Sequence, residues 1–246
     1  MGPDPSYIND FVIDGTAQQF IEDYADLDLP DLEFKPEGYE TDGFSIGTDG
    51  PDFVVGTDGD DGIYGGISET DLADRLFGGD GNDYIDGGYG NDELRGDASH
   101  DTIVGGFGVD SIFGGAGNDV LTGSTYSDLI FGGDGFDFIN GGFGSDLVNG
   151  REDGDRFFHL GAVGHGSDWI QDYSADQGDA LQFGQAGSLE VFQVNFAETT
   201  DTGAAGVSEA FVIHRPTAQI LWALVDGAAQ SQIALQIAGV DYDLLG

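Results

Sequence analysis

The chain has 246 residues, with six Lys+Arg against 47 Asp+Glu, a formal net charge of -41. So large an excess disfavours nucleic acid and anionic lipid as partners, because both would be repelled. Yet 39% of residues are hydrophobic and 12% aromatic, which is more apolar than an acidic disordered chain, so folding needs a cation to cancel the carboxylate repulsion. The chain has no cysteine, which removes disulfides and thiolate metal sites. No run approaches the length of a membrane span, and residues 1–10 lack the cationic and apolar stretches of a cleaved export signal.

Residues 1–46 form the first predicted unit, acidic and irregular, with Pro3, Pro5, Pro30 and Pro36 as breakers. A short helix is predicted over 16–24, where Phe20, Ile21 and Tyr24 share one face. Its expected job is to cover the open end of the periodic region that begins at residue 47, since a bare sheet edge invites pairing; disorder of the first several residues is the alternative.

From residue 47 to 158 the chain is periodic. Aspartates recur at Asp52, Asp61, Asp74, Asp83, Asp92, Asp101, Asp110, Asp119, Asp128, Asp137, Asp146 and Asp155, nine residues apart except for thirteen between Asp61 and Asp74. Glycine stands five residues before nearly every one of them, and the residue two places after is always apolar, from Val54 and Ile63 through Ile103 and Leu121 to Val148 and Phe157. The unit is plain in GGDGNDYID (78–86), GGYGNDELR (87–95) and GGAGNDVLT (114–122). Glycines let the backbone take positive φ and turn its carbonyls inward. A three-residue strand follows each turn, and its central apolar side chain points opposite to its neighbours, into the interior. With two nonapeptides per coil, turns stack every eighteen residues, so twelve Asp turns form two columns of six. Calcium wants six to eight oxygens, and stacked turns offer carbonyls and carboxylates from above and below. About five gaps per column give about ten ions, worth roughly +20 of charge. Ion binding and folding are then one process.

These repeats resemble the repeats-in-toxin (RTX) calcium-binding nonapeptide family of exported bacterial proteins, over roughly residues 47–183. The resemblance implies an all-β, right-handed parallel β-roll of about twelve nonapeptide turns, with a short N-terminal cap and a β-rich C-terminal cap. It also implies a ligand set. Gly79, Gly81 and Asp83 would face Gly96, Ala98 and Asp101, while Gly88, Gly90 and Asp92 would face Gly105, Phe107 and Asp110. The same positions recur at Gly114, Ala116 and Asp119, and at Gly132, Asp134 and Asp137. The family leaves the cell by type I secretion, reading an uncleaved C-terminal signal, which places the chain outside the cell or on its surface. The turns GDASHD (96–101), GSTYSD (123–128) and GREDGD (150–155) lose glycines, and the insertion at 68–73 disturbs the gap beside it, so weaker or empty sites are expected there.

Residues 159–246 are predicted as a β-rich cap carrying the export signal. In GSDWIQDYSADQGDALQF (166–183), Asp168, Asp172 and Asp179 are candidates for further calcium. Strands are predicted at 188–196, 209–214, 219–225 and 231–239, with the turn RPTA at 215–218 between two of them.

Catalytic patterns are thin. No HExxH occurs, and the four histidines are scattered: His100 sits in a repeat turn, and His159, His165 and His214 read as structural or exposed. GFSIG (43–47) fits GxSxG, but that motif means a nucleophile only on a strand-to-helix elbow. Aromatics recur with one parity: Tyr89, Phe107 and Phe143 in turns, and Phe77, Phe113 and Phe131 at repeat ends beside Arg95 and Asn149. That side is predicted to be aromatic and the other acidic or small. It would be covered by a terminal segment, or would contact polysaccharide or another copy. The chain is therefore expected to be a secreted, non-enzymatic calcium-binding protein of surface, matrix or assembly role. The alternative is a carrier of hydrolase or lyase activity, or the export and binding module of a larger enzyme.

Overall fold

The computed structural model describes residues 43–66, 68–199 and 203–246. The helix predicted over 16–24 and most of the N-terminal cap lie outside the described residues. Residues 43–46, assigned from sequence to that cap, form the first strand of the roll.

Strands follow in chain order: β1 (Gly43–Ile46), β2 (Phe53–Val55), β3 (Asp61–Tyr64), β4 (Arg75–Asp80), β5 (Tyr84–Asp86), β6 (Glu93–Ala98), β7 (Thr102–Phe107), β8 (Ser111–Ala116), β9 (Val120–Thr125), β10 (Leu129–Asp134), β11 (Phe138–Asn140), β12 (Leu147–Glu152), β13 (Arg156–His159), β14 (Asp168–Ile170) and β15 (Ala180–Phe183). Odd strands join one sheet and even strands the other, all parallel, so the chain winds as a β-solenoid of about seven coils. The regular register is eighteen residues, as in Ile103 opposite Leu121 and Ile112 opposite Ile130. It widens to 22 where the insertion falls, with Ile63 opposite Ile85, and to 24 where Phe157 meets Leu181. Those stretched registers let residues 159–183 add a coil beyond the six that twelve nonapeptides supply.

The apolar column fills the interior. Leu76, Ile85, Leu94, Ile103, Ile112, Leu121 and Ile130 are all fully buried, in one continuous core with Phe157, Tyr173 and Trp222. Each strand contributes one inward side chain between two outward ones, so a single residue per nonapeptide sets the core.

The C-terminal part closes both sheets. β16 (Phe192–Ala197), β17 (Glu209–His214) and β18 (Gln219–Leu224) form an antiparallel meander, and β18 joins β14 in parallel. β19 (Ala234–Ile237) joins β15 in parallel, and β20 (Val240–Asp243) folds back on β19. The predicted strands and the turn at 215–218 are found. The last strand, β20, has no counterpart among the predicted strands, because VDYD (240–243) carries too little apolar signal.

The aromatic rows need a correction. Turn residues and repeat-end residues project differently, so they form two rows and not one side. Tyr89 and Phe107 stack at 4.6 Å along the turn edge. Phe113 and Phe131 stack at 5.2 Å on the outer face of the even-strand sheet, with Arg95 over Phe113 at 4.5 Å. The odd-strand sheet is not acidic outside either. Its outward Val104, Val120, Phe138 and Phe158 are buried.

Leu121→Ala is expected to cost about 2–5 kcal/mol, the range for a buried leucine, in thermal melts at saturating calcium. Phe53→Ala, at a position 65% exposed, is expected to cost less than about 1 kcal/mol.

Candidate metal centre

Each turn spans six residues from the glycine to the aspartate, here numbered one to six. Positions two and four of the regular turns hold positive φ, for example Gly106 at 103° and Gly108 at 154°. This conformation aims successive carbonyls along the coil axis. A Cβ at Gly106 would strike the Gly88 carbonyl, and one at Gly108 the Gly90 carbonyl, so both oxygens point up at the next turn.

The aspartates form two spines. Oδ1 of Asp92 accepts the Asp74 N–H at 2.8 Å, Asp110 accepts that of Asp92 at 2.8 Å, and Asp128 that of Asp110 at 2.9 Å. The second spine runs the same way from Asp61 through Asp83, Asp101, Asp119, Asp137 and Asp155. Asp168 extends the first spine next to Asp146, and Asp179 ends the second, taking the Asp155 N–H at 2.9 Å. There are thus seven aspartates per column where the period alone shows six.

The other carboxylate oxygen behaves differently. Oδ2 of Asp74, Asp83, Asp92, Asp101, Asp110, Asp119, Asp128, Asp137, Asp146 and Asp155 is buried and has no hydrogen-bond partner. What stands opposite is another acceptor. A Cβ on Gly105 would lie 2.6 Å from Asp110 Oδ2 and 2.8 Å from the Gly123 carbonyl oxygen. At Gly87 the same point lies 2.6 Å from Asp92 Oδ2 and 2.5 Å from the Gly105 carbonyl. Glycine is needed at position one because these two oxygens occupy the space of a side chain. Two acceptors converging without a donor leave full desolvation unrepaid, and a hard cation is the partner that repairs it. Oxygen is the only donor element here, which suits calcium over softer metals. No group of three His, Cys, Asp or Glu side chains that could hold a metal exists among the described residues, because most of the oxygens come from the backbone.

The carbonyls implied by resemblance are partly engaged. Those of Phe107, Ala116 and Asp134 accept N–H groups of Gly90, Ser99 and Gly117 from the coil below, at 2.7–2.9 Å. Each keeps a second lone pair. The three glycine-poor turns keep the same shape. Asp97, Ser99, Ser124, Tyr126, Arg151 and Asp153 all take φ between 69° and 85°, a strain of about 1 kcal/mol each.

At the ends the chemistry changes. Asp52 Oδ2 accepts both the N–H and the hydroxyl of Thr48, and Asp61 Oδ2 those of Thr57. Asp179 Oδ2 accepts the Ser174 N–H at 2.8 Å, and Asp172 takes the N–H groups of Gly150 and Arg151. These carboxylates are satisfied by protein donors, whereas Asp168 Oδ1 is not. Sequence reasoning missed an outer ladder at position five. There Asn82 accepts the His100 N–H, His100 Nδ1 that of Asn118, and Asn118 that of Phe136. The recurrence of Asn at that position was its signal. Two of the remaining histidines are sealed inside: His159 and His165 are fully buried, ring to ring at 4.6 Å. Ser45 lies mid-strand in β1 opposite Ile63, not on an elbow.

Burial holds the column carboxyls far above their ordinary range. Asp92 and Asp128 are raised to about 8, Asp101 to about 9 with Asp119 adding repulsion, and Asp155 to about 10 with Asp137 adding repulsion. Asp74 and Asp179 rise to about 6, and Asp83, Asp110 and Asp119 to about 7. A folded-state pKa above the unfolded value of 3.8 means that the folded, metal-free roll binds more protons. Its stabilisation by protonation is complete below about pH 4 and is lost as pH rises through about 6 to 10. Melts of calcium-stripped protein are therefore expected to show more stable β structure at pH 4.5 than at pH 8; a trend in the other direction would contradict the burial argument. Ser124→Gly is expected to stabilise the calcium-loaded roll by about 1 kcal/mol by relieving a left-handed serine, read as a higher melting temperature.

A comparison with family descriptions finds four copies of the RTX calcium-binding nonapeptide repeat, over residues 38–68, 70–103, 95–125 and 122–157. No curated protein matches the chain. The columns of orphaned Oδ2 atoms coincide with those copies, and through them the chain belongs to the RTX calcium-binding repeat family.

Proposed function

We propose that this is an exported protein whose folding is switched on by extracellular calcium, and that about ten ions occupy the gaps between stacked turns. The observation that carries this reading is the set of ten buried, unpartnered carboxylate oxygens in the columns, of which those of Asp74, Asp83, Asp92, Asp101, Asp110, Asp119, Asp128 and Asp137 each converge with a carbonyl of the next coil on one glycine. At neutral pH without metal these groups must either take up protons or stay in water. Inside the cell, where calcium is scarce, the chain would remain extended and fit for a one-step channel. Outside, extracellular modules bind calcium at about 10⁻⁴–10⁻³ M, and the roll would close.

The role we assign to the folded form is structural, at a surface or in a matrix, and not catalytic. Supporting this, Ser45 sits within a strand and His159 and His165 are sealed in the core. The contact face would be the even-strand sheet, where Val55, Phe77, Arg95, Phe113 and Phe131 form an outward row and Phe53 packs beside Phe77. Such a row suits ring stacking on polysaccharide or on a second copy.

Small-angle scattering during a calcium titration tests the switch. The radius of gyration is expected to fall cooperatively from roughly 50 Å toward roughly 20 Å as calcium passes the millimolar range. A compact particle in excess chelator at pH 7.5 would sink the proposal.

A further inference from the structure

By sequence, the insertion at 68–73 disturbs the calcium gap it borders. Its geometry says something else. Between the turns 47–52 and 65–74, the regular aspartate is already used: Asp52 Oδ2 takes two hydrogen bonds from Thr48, which fill its lone pairs. The insertion brings in a carboxylate of its own. Asp71 is only 8% exposed, its Oδ1 accepts the Leu72 N–H at 2.8 Å, and its Oδ2 is buried without a partner. A Cβ on Gly66 would collide with that Oδ2 and lie 2.8 Å from the Thr48 carbonyl oxygen. This is the pattern of the regular turns, in which a carboxylate oxygen and a carbonyl of the neighbouring coil converge on one glycine-vacated point. Its surroundings agree: burial raises the Asp71 pKa against the lowering effect of the Leu72 hydrogen bond, repulsion from Asp49 and Asp52 acts in the same direction as burial, and Asp71 in turn adds repulsion at Asp74.

We propose that Asp71 is a calcium ligand, replacing Asp52 in the first gap of its column together with the Thr48 carbonyl. The insertion thus supplies a site instead of interrupting one. The other column is the internal comparison. Asp61 is capped by Thr57 in the same way, but the turn stacked on it, 78–83, carries no insertion, so its first gap has no substitute carboxylate.

This inference rests on the calcium reading of the columns, and one experiment separates the two. Crystals of the full chain grown in calcium and soaked in terbium would be examined by anomalous diffraction. Metal along the columns and also beside Asp71 Oδ2 supports the inference. Metal along the columns with none at Asp71 overturns it and leaves the general reading intact. No metal in either column overturns both. In solution, Asp71→Asn keeps the Leu72 hydrogen bond and is expected to lower the bound-calcium count by one, whereas Glu69→Gln on the same insertion leaves it unchanged. An unchanged count in Asp71→Asn would also overturn the inference.

Discussion

Between stacked turns a buried carboxylate oxygen faces a backbone carbonyl of the next coil, as Asp110 Oδ2 faces the Gly123 oxygen. Neither atom can donate. The apolar core cannot compensate by itself, because one inward residue per nonapeptide is a thin column, and the same coil that buries Ile103 also buries Asp101 and Asp110. Burial of the leucines and isoleucines and neutralisation of the aspartates are therefore one event. A proton can neutralise each carboxyl singly; a divalent ion can neutralise one and bind its facing carbonyl as well.

The same constraint explains the backbone. Position one must lack a side chain because oxygens fill that volume, and positions two and four must hold positive φ so that carbonyls point along the axis. Where the chain puts Ser124, Tyr126 or Arg151 at such places, the φ values stay positive. The neighbouring coils, hydrogen-bonded on both sides, impose the conformation against the residue's own preference. Asp128 and Asp155 accordingly keep their unpartnered oxygens in those turns.

Most of the roll was legible because its period is strict: the Asp at position six and the apolar residue two places on fix column, register and core at once. The ends were harder to read for a physical reason. There the period is broken and the partners come from elsewhere, as when Ser174 satisfies Asp179 and Thr48 satisfies Asp52. Asp168 looked like one candidate among three in its segment; it and Asp179 each continue a spine, but only Asp168 keeps an unpartnered oxygen, while Asp179 also takes the Ser174 N–H and Asp172 is held by backbone donors. Asp71 was invisible to periodicity because an insertion has no register. The aromatic rows were misplaced because parity assigns a half-coil and not a facing direction.

Under the proposed calcium switch, uncompensated carboxylate charge in the columns is the barrier to folding without metal. Replacing Asp92, Asp110, Asp128 and Asp146 together by asparagine puts this to the test. An asparagine oxygen can still accept the spine N–H, and its amide can donate to the facing carbonyl. Circular dichroism in excess chelator at pH 7.5 is expected to show markedly more β structure for this variant than for the parent chain. A variant as unfolded as the parent, or a parent already fully folded in chelator, would show that charge in the columns is not the barrier.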